Sequence, residues 1–379
     1  MHRCRMTQIF MFGYYGRENV GDDAIIYVLL QELDHWFKNA IFAVFSPISV
    51  EIPYLAYNDV KYIKPSIAIA AIELLKSSIL VIGGGTHIND YGNKIDSLRT
   101  LLILFFMVIC AKLFRKKIFI VGNGIGPLQS MWGKFLAKSI CLMADYISVR
   151  DKESFALLLN WGLGFKSKLS FDLSVLIQLS SCDRLKESDR KVLGVSVTPI
   201  YEIYFSENYK DLILLDEISK SLNAWLDKTP AGEVHLFVFH GGTHNSDFLI
   251  TKLLQEKLCP SKRVKLIPYN PDPLKVLIQI KKCHAFIGMK YHSCAFAYIA
   301  EIPLLIIEYH PKCRAFAKEV GLPNYAVISL IEVLRGNFGP CFDRMKLNPS
   351  SFKSSLPLSV AIEKAKGGLS IFDTGELTK

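Results

Sequence analysis

The sequence predicts an α/β protein made of two Rossmann-like, doubly wound domains that face one another across a cleft. Three observations carry this reading. Short, continuous apolar runs alternate with helix-length segments from end to end, glycine-rich turns follow several of the runs, and one densely charged stretch divides the series in two. Runs that are continuously apolar, with no polar alternation, mark parallel strands covered on both faces. Their alternation with helices marks an open, doubly wound sheet.

Taken in order, strands are expected at Gln8–Phe12, Ile79–Ile82, Ile118–Val121 and Tyr146–Val149 in the first half. In the second half they are expected at Val192–Val197, Val234–Phe239, Val264–Ile267, Ala285–Ile287 and Leu304–Ile307. Helical segments include Asp23–Phe37, Lys134–Met143, Tyr209–Leu226 and Phe248–Lys257. The charged stretch Ser181–Lys191 reads as a linker. The expected division is therefore residues 1–180 for an N-terminal domain, 190–335 for a C-terminal domain, and 336–379 for a tail richer in Pro, Gly and Ser. Ligands are expected at strand carboxyl ends and in the cleft.

The 379 residues are 50% apolar and 21% charged, which excludes a disordered chain and suits two domains with cores of their own. Lys and Arg number 45 against 35 Asp and Glu, a formal charge of +10 that favours an anionic partner. Nine cysteines at wide spacings, with no Cys-x-x-Cys pair, read as free and mostly buried thiols in a reducing compartment. The apolar run Ile9–Phe12 ends at Gly13, too short for a signal peptide, and Leu101–Ala111 is too short to span a bilayer. The latter reads as a buried helix with a basic C-terminal end, membrane-surface contact being the second reading. A cytoplasmic protein is expected, with peripheral contact at the inner face of the membrane as the variant. Nucleic-acid binding is not expected, since no recognition signature or long basic run occurs.

Three glycine clusters follow first-half strands: Gly13–Asp22, with Asn19 and Asp22; Gly83–Asp90, with Gly84, Gly85 and Asp90; and Gly122–Pro127, with Gly124. Glycine lets the backbone turn sharply and approach a ligand, and a helix N-terminus that follows offers N–H donors to an anion. None fits the P-loop or dinucleotide pattern, so ATP and NAD are not expected. Arg150, at the end of a strand beside Asp151, reads equally as a structural ion pair or as a bidentate grip on carboxylate or phosphate. Lys290 and His292 follow Gly288 and open the helical segment Ser293–Ala300, where ligands bind in this architecture. Lys312 is a second cation past a strand end, in Tyr309-His310-Pro311-Lys312. His240 and His244 are four apart, but Gly241 and Gly242 oppose the helix that would put them on one face, so a polar loop is expected and no metal.

The order and spacing of these motifs resemble the polysaccharide pyruvyl transferase family, from Gly13–Asp22 through Ser148–Asp151 and Gly288–His292 to Tyr309–Lys312. The resemblance implies a fold like the B-type glycosyltransferases and transfer of pyruvate from phosphoenolpyruvate to a saccharide acceptor as a ketal. The acceptor would be a cell-surface polysaccharide or its lipid-linked precursor. The family's motif residues carry onto Arg150, His292 and Lys312. Members usually have Arg at the position of Lys290 and Asp at that of His310. In this reading His292 is the general acid/base, and Arg150 and Lys312 hold carboxylate and phosphate, so no metal or other cofactor is needed. Lys290, His310 and His240 line the substrate, and the first-domain glycine turns with Gly84, Gly85 and Gly124, together with Asn19, Asp22 and Asp90, line the acceptor side. The alternatives are a sugar-nucleotide glycosyltransferase on the same architecture and a non-catalytic protein binding an anionic glycan.

Overall fold

The computed structural model describes residues 7–47, 60–64, 66–91, 94–177, 191–205, 207–242 and 246–374. The chain forms two compact units. One takes the chain up to Arg17, Asp22–Leu176 and the stretch from Ala361; the other takes Glu18–Gly21 and Ile177–Val360.

The first unit holds a parallel sheet of β1 (Gln8–Phe12), β2 (Ile41–Phe45), β3 (Val60–Ile63), β4 (Ile79–Gly83), β5 (Lys117–Asn123), β6 (Tyr146–Val149) and β7 (Ser167–Leu169). The strand order is β3-β2-β1-β4-β5-β6-β7. Its helices are α1 (Val20–Trp36), α2 (Ile67–Lys76), α3 (Lys94–Leu113), α4 (Met131–Met143) and α5 (Lys152–Asn160). β4 is buried at all five residues, as a strand with helices on both sides must be. One apolar cluster unites Ala70 and Leu74 of α2, Leu104 and Val108 of α3, Leu136 and Ile140 of α4 and Leu158 of α5 with the strands beneath. These four helices therefore form one layer.

The second unit holds β8 (Lys191–Ser196), β9 (Gly232–Phe237), β10 (Val264–Ile267), β11 (Ala285–Gly288), β12 (Leu304–Glu308) and β13 (Val327–Ser329), all parallel, in the order β10-β9-β8-β11-β12-β13. Its helices are α6 (Ile200–Phe205), α7 (Asn208–Lys228), α8 (Phe248–Glu256), α9 (Pro273–Lys281), α10 (Tyr291–Ile299), α11 (Pro311–Glu319), α12 (Leu330–Leu334) and α13 (Phe338–Leu347); α14 (Leu358–Gly368) begins in this unit and ends in the first. The fold is that of two parallel-sheet α/β domains, as the apolar runs predict.

Three expectations need correction or placing. The stretch 336–379 is not a tail outside the domains. Phe338, Phe342 and Phe352 are buried in the second unit, and Ala361, Ala365 and Phe372 in the first. The helix over Leu101–Ala111 is buried on one side only: Leu101, Leu104, Met107, Val108 and Ala111 face the core, while Leu102 and Phe106 are exposed. The expected linker falls outside the described residues except for Lys191, which opens β8.

Among the described residues Cys141, Cys283, Cys294 and Cys313 are buried free thiols, and Cys259 is exposed. Burial pushes the Cys141 thiol up to about 12, so it carries no nucleophilic thiolate at neutral pH.

The ring of Phe372 stands edge-on to Phe37 and Phe119 at 5.9 and 5.4 Å. Phe372→Ala is expected to destabilise the first unit by about 3 kcal/mol, the cost of a large cavity in a packed core. Urea unfolding of the variant beside the natural chain checks this; a change under about 0.5 kcal/mol would mean the C-terminal segment is not part of that core.

Candidate active site

A parallel sheet covered on both faces offers polar chemistry chiefly at the carboxyl ends of its strands, where the order reverses direction. In the second unit that reversal lies between β8 and β11. β8 runs out at Ser196, with Thr198 just beyond, and both side chains are fully buried. Neither hydroxyl oxygen has a hydrogen-bond partner among the described residues. β11 runs out at Gly288, and Lys290 stands as the N-cap of α10 with an extended backbone. The Lys290 ammonium lies 2.8 Å from Asp247, whose side chain is fully buried. Asp247 also accepts from the backbone N–H of His240 at 2.9 Å, and its own N–H donates to the His240 carbonyl at 2.8 Å. The loop after β9 is thereby tied to the start of α10.

His292 lies in the first turn of α10, half-buried, against the backbone of Gly21. A Cβ on Gly21 would stand 1.9 Å from the imidazole Nδ1, so only glycine permits this approach. Gly21 is held there by its neighbours. Asn19 bridges to His240, the Val20 N–H donates to the Phe239 carbonyl at 3.0 Å, and the Gly241 N–H donates to the Glu18 carbonyl at 2.9 Å. Asn19, expected on the acceptor side of the first domain, therefore belongs to the second unit beside His240.

At the tip of β12, His310 caps α11: its Nδ1 accepts from the Lys312 N–H at 3.2 Å, with Pro311 at the first helical position. This is the task an Asp performs at an N-cap, which accounts physically for His being accommodated where the family has Asp. The Lys312 ammonium lies over the Tyr309 ring, 5.4 Å from its centroid. Lys290, His292 and Lys312 thus occupy the carboxyl edge of two adjacent strands, each in or beside the first turn of a helix. The Lys312 ammonium, an imidazole and helix N-terminal donors on one edge are the kinds of group a small, multiply charged anion requires, with Lys290 engaged by Asp247.

In the first unit the order reverses between β1 and β4. Gly84 and Gly85, at φ +57° and +70°, turn the chain there. A Cβ on Gly85 would stand 2.6 Å from His87 Nε2 and 3.4 Å from Asp22 Oδ1, so these groups gather around one turn. The Tyr14 ring stacks on His87, and Arg17 lies over the Tyr14 ring at 4.6 Å. His87 is buried, and its Nε2 has no hydrogen-bond partner among the described residues. Burial first, and then the charges of Arg150 and Arg17, bring its pKa down to about 4. It is a neutral imidazole at physiological pH, suited to receiving a hydroxyl hydrogen bond.

Arg150 makes the ion pair that one of its two readings expects. Its guanidinium donates to Asp172 at 2.7 Å and to the Thr86 hydroxyl at 2.8 Å, with Arg150 4% exposed and the Asp172 side chain fully buried. It joins the end of β6 to the turn after β4, and Gly124 packs beside it: a Cβ there would stand 3.3 Å from Arg150 Nε. Asp90 lies at the start of α4. Burial opposes its charge, but the Ser130 hydroxyl and the backbone N–H groups of Gln129 and Ser130 hold its carboxyl below the usual range. Its carboxylate fixes the loop into α4, a structural task.

The second unit thus gathers Lys290, His292, His310, Lys312, His240 and Asn19, and the first gathers Asp22, Gly84, Gly85, Gly124 and Arg150. Four further residues escape a sequence reading. Asp247 closes the segment Phe239–Asp247, where only its partner Lys290 would reveal its role. Ser196 and Thr198 follow a legible strand but carry no motif, and His87 gains its meaning from burial. His244 lies outside the described residues, and among the described residues no cluster of three metal-ligating side chains occurs.

A family model described as polysaccharide pyruvyl transferase matches residues 19–311, from the segment beside His240 to the cap of α11. The chain belongs to the polysaccharide pyruvyl transferase family. The amylovoran biosynthesis protein AmsJ of Erwinia amylovora is 18% identical over 261 residues, 66% of this chain, and this chain spans 60% of the length of that relative. Solved structures similar to this chain include the MnaA–UDP co-structure of S. aureus, with TM-score 0.63 at 13% identity over 97% of each chain. Anabaena HepE in complex with UDP-glucose aligns with TM-score 0.60 at 10% identity, over 96% of this chain and 99% of that one. The UDP-GlcNAc 2-epimerase of Methanocaldococcus jannaschii in complex with UDP-GlcNAc and UDP aligns with TM-score 0.59 at 14% identity, over 98% and 99%. These likenesses establish the glycosyltransferase-B-like fold of this family member.

His87 supplies a pH test. Its proton is bound less readily folded, near pH 4, than unfolded, near about 6.5. Stability is therefore lost as pH falls through that window, by up to about 1.4 kcal/mol per pH unit. His87→Asn should flatten this part of the profile in urea unfolding between the two values. Equal slopes for both proteins would show that the imidazole is not held neutral.

Proposed function

We propose that the protein transfers pyruvate from phosphoenolpyruvate to a sugar of a cell-surface polysaccharide or its precursor, forming a ketal and releasing phosphate. The observation that carries this reading is the edge of Lys290, His292 and Lys312 at the ends of β11 and β12, the first two within the family match and Lys312 one residue past its end. Phosphoenolpyruvate presents a carboxylate and a phosphate on adjacent atoms, a ligand that needs several cations and N–H donors together.

The chemistry balances on these groups. His292 donates a proton to the CH₂ carbon as one sugar hydroxyl adds its oxygen to C2, and the hydroxyl proton returns to the imidazole. The C2–O bond to phosphate then breaks, and phosphate leaves with the electron pair. A second hydroxyl closes the ketal on C2 and loses its proton to a base in the site. An imidazole serves both directions because its unperturbed pKa, about 6.5, lies near neutrality. Lys312 and the N-terminal donors of α10 and α11 stabilise the departing phosphate. In this scheme Arg150 positions the β4 turn, and His87, Asp22 and the Gly84–Gly85 turn hold the acceptor.

Thermal unfolding with millimolar phosphoenolpyruvate, beside a set of sugar nucleotides, tests the donor. Saturation at about 100 times Kd adds about 2.7 kcal/mol and raises Tm by a few degrees. The account expects a shift with phosphoenolpyruvate that is lost in Lys312→Ala, and no turnover in His292→Ala with binding retained. A shift only with a sugar nucleotide would assign the protein to glycosyl transfer instead.

A further inference from the structure

We propose that the outer face of α2, α3 and α4 is a docking surface for an anionic lipid bilayer. The three helices lie side by side in one layer over the first unit's sheet, bound to it through their inner faces. Their outer faces are apolar to a degree that folding of the unit does not require. On α4, Met131, Trp132 and Phe135 are 82%, 66% and 56% exposed. On α3, Leu102, Phe106 and Leu113 are exposed at spacings of four and seven residues, which puts them on one helical stripe. Ile69 and Ile72 do the same for α2. Isolated exposed apolar residues are ordinary, but three neighbouring helices carrying them form a continuous patch, and such patches mark interaction sites.

The charge on this face selects the occupant. Lys134 and Lys138 are exposed on α4 between Trp132, Phe135 and Leu142, and Lys112, Arg115 and Lys117 are exposed at the C-terminal end of α3 and just past it. On α2 and α4 Glu73 is the one carboxylate, and α3 carries Asp96 in its first turn, at the end of the helix away from Lys112 and Arg115. Glu73 is buried and taken up by Lys61 and Lys76. Lys112 is paired with Asp145 at 3.1 Å, and Lys134, Lys138, Arg115 and Lys117 give the face its cationic character. Lysine is depleted at protein–protein contacts, whereas lysine stems flanked by aromatic and aliphatic side chains suit the boundary between headgroups and acyl chains. A bilayer also matches the extent of the face, since α3 alone has 20 residues, about 30 Å of helix. No helix among the described residues is long and apolar enough to cross a membrane, so this contact lies on the surface. The inference does not depend on the reaction proposed above.

Co-sedimentation with phosphatidylcholine vesicles, with and without phosphatidylglycerol, tests it at several salt concentrations. The full chain should bind the phosphatidylglycerol vesicles, more weakly as salt rises, and bind phosphatidylcholine alone least. Lys134→Glu with Lys138→Glu should lower partitioning by at least the roughly fivefold expected per cation lost, about 25-fold together. Trp132→Ser with Phe135→Ser should lower it by tenfold or more. All four side chains are exposed, so Tm should stay within about 2 °C and certify folding. Absence of binding to the anionic vesicles, or binding unchanged in both variants, overturns the proposal. So does a concentration-dependent dimer, seen by light scattering and abolished by Trp132→Ser with Phe135→Ser, if vesicles do not bind; the face would then belong to a second copy of the chain.

Discussion

The buried side chain of Asp247 is the point on which the second unit's edge depends. Removing a carboxylate from water is costly unless a cation and N–H donors replace the lost hydration. Here Lys290 supplies the cation at 2.8 Å and the His240 backbone supplies the donor at 2.9 Å. One pair therefore sets three things at once: the start of α10, the course of the loop after β9, and the platform to which Glu18–Val20 hydrogen-bonds. Through that platform it fixes Gly21 against the His292 ring. Lys290 holds the geometry of the edge, and Lys312 and His292 are the groups to which the proposed function assigns the donor's charge.

The first unit solves the same problem with different residues. Its strands are as apolar as those of the second unit, so charge is again confined to the carboxyl edge. Arg150 and Asp172 form the buried pair there, and the guanidinium reaches on to Thr86. Removing either partner would leave the other charge buried and unpaired, which costs several kcal/mol. Burial keeps His87 neutral, and the Arg150 charge adds to it in opposing protonation. Each unit thus places an ion pair and an imidazole at the reversal of its strand order, one imidazole kept neutral and buried, the other half-buried in the first turn that Lys290 caps.

Much of this architecture is legible in the sequence because a strand covered on both faces must be continuously apolar. Tyr146–Val149 and Val264–Ile267 coincide with β6 and β10 residue for residue. The strands that escape are mainly at sheet edges. β3, β7 and β13 have only three or four residues and include Lys61, Lys168 and Ser329, since one side of an edge strand meets solvent. The cations at strand ends are legible from position alone, as Lys290, His292 and Lys312 illustrate. Their partners are not, because Asp247 lies 43 residues before Lys290 and Asp172 lies 22 after Arg150. Asn19 is a third kind of case. It precedes a helix of the first unit in sequence, yet its backbone pairs with the end of β9 more than 200 residues away. Long-range pairing of this kind leaves no local pattern.

The central claim is that the edge built on Asp247 and Lys290 holds phosphoenolpyruvate. A double-mutant cycle on phosphoenolpyruvate affinity, with Asp247→Asn, Lys290→Met and the two combined, addresses it most directly. If the pair acts as a unit, each single change weakens binding and the double change costs little more than either, leaving a coupling of about 1–3 kcal/mol. Additive losses within about 0.5 kcal/mol, or natural protein that does not bind phosphoenolpyruvate at all, would contradict the account.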